Sequence, residues 1–231
     1  MENLEALFND IKQKHHVPVE RVHRTLHRAA AYAIALPKVH PDLIRYLVRI
    51  PVHMFTPESM DVGTAVWNWM LVERADVEKR LMVEMLSMWH WAQKHRKGLF
   101  SPVLNAKHPF VSKMTNDPSD KAVCDSSHRV ASYLFTPHQT WIKFLSSRFY
   151  SIRHRSRHLV NMFVRLLQES FQSAHLMSTH ALARPVRFQL LLLGTKILQS
   201  TRMEALAEHK FRSLVYECAF NWFSLEPRYV R

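Results

Sequence analysis

Apolar residues recur along this chain at intervals of three and four, the spacing that lines one side of an α-helix. The pattern predicts about eight helices. Residues 3–14 form a short amphipathic one, Pro18 opens a second, VERVHRTLHRAAAYAIAL, which Pro37 stops, and Pro41 opens a third, DLIRYLVRI. In FTPESMDVGTAVWNWMLVE, Thr56 can cap the start, Pro57 suits the first helical position and Glu58 complements the helix dipole. The following helix begins near Asp76 and ends where Gly98 supplies a C-terminal cap. In the second half, FTPHQTWIKFLSSRFYSIRHR repeats the Thr-Pro start at Thr136-Pro137, Ser156 caps RHLVNMFVRLLQESFQSA, and RPVRFQLLLLGTKILQS makes another helix. Thr201 and Glu204 then stand at capping-box spacing before ALAEHKFRSLVYECAFNWF.

Several of these helices are apolar on two sides. Trp67 and Trp69 lie roughly 200° apart around their helix, because each residue advances it by about 100°. The same occurs at Trp89-His90-Trp91. A helix with large apolar groups on two faces is sandwiched between other helices. The expected fold is therefore all-α: stacked antiparallel helical hairpins in an α-solenoid of the HEAT type, spanning 1–231 as a single segment. Trp67, Trp69, Trp89, Trp91, Trp141 and Trp222 are its expected structural core, filling the seams between helices. Residues 98–135 read as one long mobile surface loop, because FSPVLNAKHPFVSKMTNDPSDKAVCDSS carries three prolines, scattered polar residues and little periodicity.

Composition narrows the class. With 231 residues, 47% of them apolar, the chain can bury a sizeable core. Two cysteines, Cys124 and Cys218, give neither a disulfide framework nor metal-ligand spacing, which suits a reducing compartment. The N-terminus carries acids and is no secretory signal, and no apolar run approaches the roughly 20 residues that span a bilayer. The expectation is an intracellular protein, soluble or peripheral to a membrane.

Charge adds a candidate surface. The formal net charge is +13 and it is uneven: between Asp125 and Glu169 there is no acid, while Arg129, Lys143, Arg148, Arg153, Arg155, Arg157 and Arg165 all fall there. On helix 136–155, Trp141, Phe144, Leu145, Phe149 and Ile152 take the core face. Lys143, Arg153, Arg155 and Arg157 are left as a basic ridge that suits an anionic partner: nucleic acid, an anionic membrane or an acidic protein surface. A merely solvated basic face satisfies the same pattern. Nucleic acid is disfavoured, because Arg153, Arg155 and Arg157 straddle a helix junction and the helix that follows is dominated by Leu159, Val160, Met162, Phe163, Leu166 and Leu167. A recognition helix would present polar groups to base edges.

Nothing in the sequence points to catalysis. His23 and His27, and likewise His154 and His158, put two imidazoles on one helical face, but no acid or cysteine completes a zinc site. No nucleophile elbow occurs, and three isolated glycines (Gly63, Gly98 and Gly194) cannot build a phosphate cradle. No catalytic, cofactor-binding or metal-binding residue is assigned.

The stretch IPVHMFTPESMDVGTAVWNWMLVERADVEKRLMVEMLSMWHWAQKHRKGLFSP, with TPHQTWIKFLSSRF, RPVRFQLLLLGTKILQS and YECAFNWFSLEPRY in the same order, resembles the type III alpha family of phosphatidylinositol 4-kinases. More narrowly, it is similar to the helical region upstream of that enzyme's lipid-kinase accessory and catalytic domains. The likeness covers most of residues 20–231, and departs from the family in the loop at 101–135 and in a variable N-terminal helix over 1–17. It implies a parent enzyme that phosphorylates phosphatidylinositol at the 4 position with ATP and magnesium, at the cytoplasmic side of the plasma membrane. ATP and magnesium would belong to a kinase domain that this chain lacks, since no phosphate loop or metal-binding D-F-G type motif occurs in it. The implied partners are the rest of the kinase, a tetratricopeptide-type adaptor, a membrane anchor, an anionic membrane surface and, through the parent, a second copy. The expected role is a non-catalytic scaffold segment, either an excised piece or a truncated product of a longer protein. The alternative is a free-standing basic helical adaptor for nucleic acid or an acidic protein surface.

Overall fold

A computed structural model of the chain describes residues 1–102, 118–200 and 205–223. Among the described residues there are nine α-helices, joined in places by short 3-10 turns, and no strand. They are α1 (Glu2–Lys12), α2 (Val19–Ala35), α3 (Pro41–Met54), α4 (Pro57–Glu73), α5 (Glu78–Lys94), α6 (Pro118–Ile152), α7 (Arg157–Gln172), α8 (Arg184–Ser200) and α9 (Ala205–Phe223). Thr201 and Glu204 lie outside the described residues.

Helices alternate between two layers. The even-numbered ones pack in order, α2 on α4, α4 on α6 and α6 on α8, and the odd-numbered ones do the same from α1 to α9. Helices of one layer run the same way, which the side chains at their ends make visible. Arg74, just beyond α4, donates to the carbonyl groups of Ala33, Ile34, Leu36 and Pro37 at the end of α2. It thereby satisfies acceptors that a helix C-terminus leaves open, and Asp76 holds its guanidinium at 2.8 Å. This is the two-layer stack of an α-solenoid.

Local chemistry sets where elements stop. Phe55, in the left-handed region at φ 54°, ends α3, and Thr56 then caps α4 reciprocally with Ser59, each backbone N–H donating to the other's side-chain oxygen at 3.0 and 3.2 Å. Pro51 lies inside α3, and a Cβ on Gly63 of α4 would fall 2.8 Å from its Cγ. Gly63 is thus what lets the two helices close on each other.

The second Thr-Pro pair behaves differently, which corrects the expected boundary of the 98–135 loop. Gly98–Phe100 form a 3-10 turn, residues 103–117 lie outside the described residues, and α6 already begins at Pro118. Thr136 and Pro137 are interior to it. Here Thr136 Oγ1 donates to the Ser132 carbonyl at 2.7 Å instead of capping a new helix. No left-handed residue precedes the pair. The carbonyl that Pro137 leaves without an intrahelical donor belongs to Tyr133, on the exposed side of the helix.

The tryptophans do not all share one environment. Trp67, Trp89 and Trp141 are fully buried, whereas Trp91 and Trp222 are half-buried against the core. Trp69 is 39% exposed and so is not a core residue, a correction to the two-faced reading of α4. The covered side of α4 is one broad arc of about 140° that holds Met60, Gly63, Val66, Trp67, Met70 and Leu71, while Trp69 and Val72 point outward, Trp69 beside His27 of α2.

Candidate functional site

The centre of the stack is built around His138. Its ring is fully buried in α6, edge-on to Phe55, Trp89 and Phe100 at centroid distances of 4.8, 5.2 and 5.4 Å. The Leu99 N–H donates to His138 Nδ1 at 3.1 Å, which assigns the ring proton to Nε2. Burial drives its pKa down to about 3, so the ring is neutral. Gly98 stands at φ +52°, and a Cβ there would lie 2.3 Å from His138 Nδ1. Trp89 Nε1 donates to Ser170 Oγ at 2.8 Å and Trp67 Nε1 to the Leu47 carbonyl at 2.9 Å, so both indoles are satisfied within the packing. His138 Nε2 and Trp141 Nε1 are buried among the rings without an acceptor. The centre is structural.

The histidine pair on α2 is equally without chemistry. The His23 and His27 rings stack at 4.0 Å and His27 Nδ1 bonds the His23 carbonyl. Among the described residues no three His, Cys, Asp or Glu side chains converge. Cys218 is buried, and burial pushes its thiol up to about 11, too high for a nucleophile at neutral pH.

The basic residues of the α6–α7 junction do form a surface. Arg153 donates to Ser200 Oγ at 3.4 Å and lies 5.1 Å from the centre of the Tyr150 ring, and Lys196 of α8 approaches the same ring at 5.0 Å. The C-termini of α6 and α8 therefore meet here, and their negative dipole ends account for part of the attraction of the two cations. Arg155 donates to the Ser151 carbonyl at 2.8 Å, and Arg155 and Arg157 remain exposed. Lys143 stands apart, about 15 Å along α6 and about 80° around it from Arg153. The four residues expected to form one ridge are thus a cluster of three plus an outlier, and the cluster gains Lys196. That lysine had a sequence signal. Beyond Glu169 the next acid is Glu204, so residues 126–203 hold a single carboxylate. Glu169 is taken by Arg165 at 2.9 Å, and Arg148 pairs with Glu78 of α5.

No helix among the described residues is long and apolar enough to cross a membrane. What this edge can do is electrostatic: hold an anionic surface against the exposed guanidinium groups of Arg155 and Arg157 and the half-buried Arg153 and Lys196, none of which pairs with a carboxylate among the described residues.

The fold and this edge define a helical solenoid segment with one basic end. Its sequence over residues 25–231 matches the family model for the PI4-kinase N-terminal region, and the chain belongs to that family. It is 31% identical over 160 residues to phosphatidylinositol 4-kinase STT4 of Saccharomyces cerevisiae, an alignment covering 69% of this chain and 8% of the yeast protein. To phosphatidylinositol 4-kinase alpha 1 of Arabidopsis thaliana it is 25% identical over 199 residues, 81% of this chain and 10% of the plant protein. To phosphatidylinositol 4-kinase stt4 of Schizosaccharomyces pombe it is 24% identical over 231 residues, 98% of this chain and 12% of that protein. The chain spans about a tenth of the length of these relatives.

Proposed function

We propose that this chain is a non-catalytic scaffold segment of a phosphatidylinositol 4-kinase, which holds the parts of a longer enzyme in register and helps bring it to an anionic membrane. The observation that carries the reading is where the glycines go. Catalysis of phosphoryl transfer needs a backbone loop close to the phosphates. Of the three glycines, Gly63 faces Pro51, Gly98 faces His138 and Gly194 has Val215 and Phe171 within 3.4 Å of its Cβ position. All are used to bring helices together. These residues do not fit ATP or magnesium, and no step of a kinase reaction is assigned to them.

Recruitment falls to the edge formed by Arg153, Arg155, Arg157 and Lys196, where each basic side chain near an anionic leaflet gains about 1 kcal/mol. A tetratricopeptide-type adaptor, a membrane anchor and a second copy of the kinase are the assembly partners this role calls for, with the acting enzyme at the cytoplasmic face of the plasma membrane. Arg155, exposed and tied only to the Ser151 carbonyl, and Arg157, exposed on the first turn of α7, can be removed without loss of packing. Sedimentation with vesicles containing phosphatidylserine tests this. The double change Arg155→Ala and Arg157→Ala should leave the melting temperature in place and weaken binding about thirtyfold at low salt, with the difference shrinking as salt rises. Equal binding of variant and wild type at both ionic strengths would return the edge to a solvated surface.

A further inference from the structure

Arginines that meet acids tie the helices of the stack to one another. Arg148 of α6 pairs with Glu78 of α5, both side chains being under a sixth exposed. Glu84, buried on α5, is met by Arg49 of α3 at 3.5 Å and by Arg80 at 3.2 Å. At the α8–α9 end an arginine that is itself buried meets no acid among the described residues. Arg187 is 6% exposed in the first turn of α8, and its Nε has no acceptor. Arg184 repels it, and the Arg187 guanidinium lies over the Trp222 ring at 5.7 Å. A buried cation at the positive end of a helix, beside a second cation, is disfavoured three times over. Burial, more than Arg184, pulls its pKa down.

The surface beside it is incomplete in a second way. α9 buries Phe211, Val215 and Cys218, yet Tyr216, Phe220 and Phe223 are 69%, 73% and 41% exposed on the other side. Phe188 of α8, 56% exposed, meets Phe223 edge-on at 6.1 Å, which makes the patch continuous across both helices. α4 carries apolar residues all round as α9 does, and it is covered by α2, α3 and α6. Among the described residues, α9 is covered on one face only.

We propose that the outer face of α8 and α9 is a docking surface for one further amphipathic helix, supplied in cis by the long kinase polypeptide. That helix lays its apolar stripe over Phe188, Phe220 and Phe223 and sets a carboxylate against Arg187 at the mouth of the α8–α9 groove. Charge complementarity selects an acid, since no carboxylate lies between Glu169 and Glu204 in the sequence. The layer rule selects a helix, since each even and each odd helix from α1 to α7 is followed by another of its own layer. The relatives, about ten times as long as this chain, have polypeptide to supply it. The proposal rests on the scaffold reading, and the two fail separately.

The test uses the 231-residue chain and, as probe, a fluorescent polypeptide of about 50 residues, one helical hairpin, taken from directly after the matched region of the Saccharomyces cerevisiae relative. Saturable binding is expected, abolished by Phe220→Asp and weakened at least tenfold by Arg187→Gln. Arg155→Ala with Arg157→Ala should leave it unchanged while it lowers vesicle binding. Absence of binding, or binding indifferent to Phe220→Asp, overturns the proposal. So does self-association in sedimentation velocity that Phe220→Asp relieves, because a second copy would then be the occupant. A fall in melting temperature with Glu226→Gln equal to that with Arg187→Gln would also overturn it, by assigning the anion to this chain's own acid.

Discussion

The middle and the C-terminal end of this stack use the same ingredients to opposite effect. Around α4, α5 and α6, Trp67, Trp89, Trp141, His138 and Phe100 close on one another, all five rings buried, and Arg148, which enters the layer, is paired with Glu78. At α8 and α9, aromatic residues of the same kind stand in solvent, and a buried arginine meets no carboxylate among the described residues. Helix formation is equally good in both regions. The difference is that the middle has neighbours on both sides, and the lesson is that in a stacked array an apolar residue's environment is fixed by its helix's place in the row as much as by its own helix.

The largest test of that contrast is in the middle. Trp89→Ala and Trp67→Ala should each cost about 3 to 5 kcal/mol, the loss for emptying a large buried aromatic site, with Trp89→Ala also removing the donor to Ser170 Oγ, whose own bond to the Leu166 carbonyl stays. Urea denaturation followed by circular dichroism measures it. A cost below about 1 kcal/mol would mean that the centre collapses around the gap and is not the rigid part of the stack.

Next in size is a dependence on pH. His138 and His53 have folded-state pKa values of about 3 and about 4, both below the ordinary 6.5, and for each the largest cause is burial. The unfolded chain therefore takes up protons first as pH falls. Stability is full above about pH 6.5 and declines as pH drops towards the folded values. From pH 7 to pH 5, His138 alone should withdraw about 2 kcal/mol. A His138→Leu variant loses the acceptor for Leu99 N–H at every pH but escapes this titration, so its deficit against wild type should narrow by that amount at pH 5. A deficit equal at the two pH values would place the imidazole in contact with water.

The smallest effects belong at the surface. Phe220→Ala should change the stability of this chain by no more than about 0.5 kcal/mol, and Trp69→Ala by no more than about 1 kcal/mol, because both rings are already hydrated. Thermal melts at one pH suffice. A core-sized loss at Phe220 would mean that the end of the stack is closed after all, and the contrast with the middle would disappear.

Much of this was legible in the sequence, for reasons that also explain the misses. Helix identity and the stacked architecture follow from period and caps, and Thr56, Ser156 and the two-sided apolar pattern carry them. The start of α6 was hidden by the resemblance of Thr136-Pro137 to Thr56-Pro57. The counter-signal is the unbroken series Ala131, Phe135, His138, Ile142, Leu145, Phe149 and Ile152, all buried, which passes straight through the proline. Its histidine and alanine made the series easy to end too soon. Trp69 could not be separated from Trp67 by period alone, since the arc each neighbour covers is a property of the packed array. The basic edge was half visible: Arg153, Arg155 and Arg157 adjoin in sequence, but Lys196 joins them only because α6 and α8 run parallel and end together. Arg187 was readable as a charge on the core side of RPVRFQLLLLG, in line with Leu191 and Gly194. What the sequence withheld was that no acid among the described residues would answer it.

Every substantial contact between helices joins neighbours or next-but-one neighbours, and none ties α1 or α2 to α8 or α9. A row held together this way has the mechanics of a spring. Pulled from its two ends, it should lengthen by shedding helices in steps from the less covered end, while the tryptophan-filled middle holds until last. Load arriving at one end reaches the other only by passing through each seam in turn, so the segment's stiffness is set by its weakest seam and its reach by the number of seams still closed.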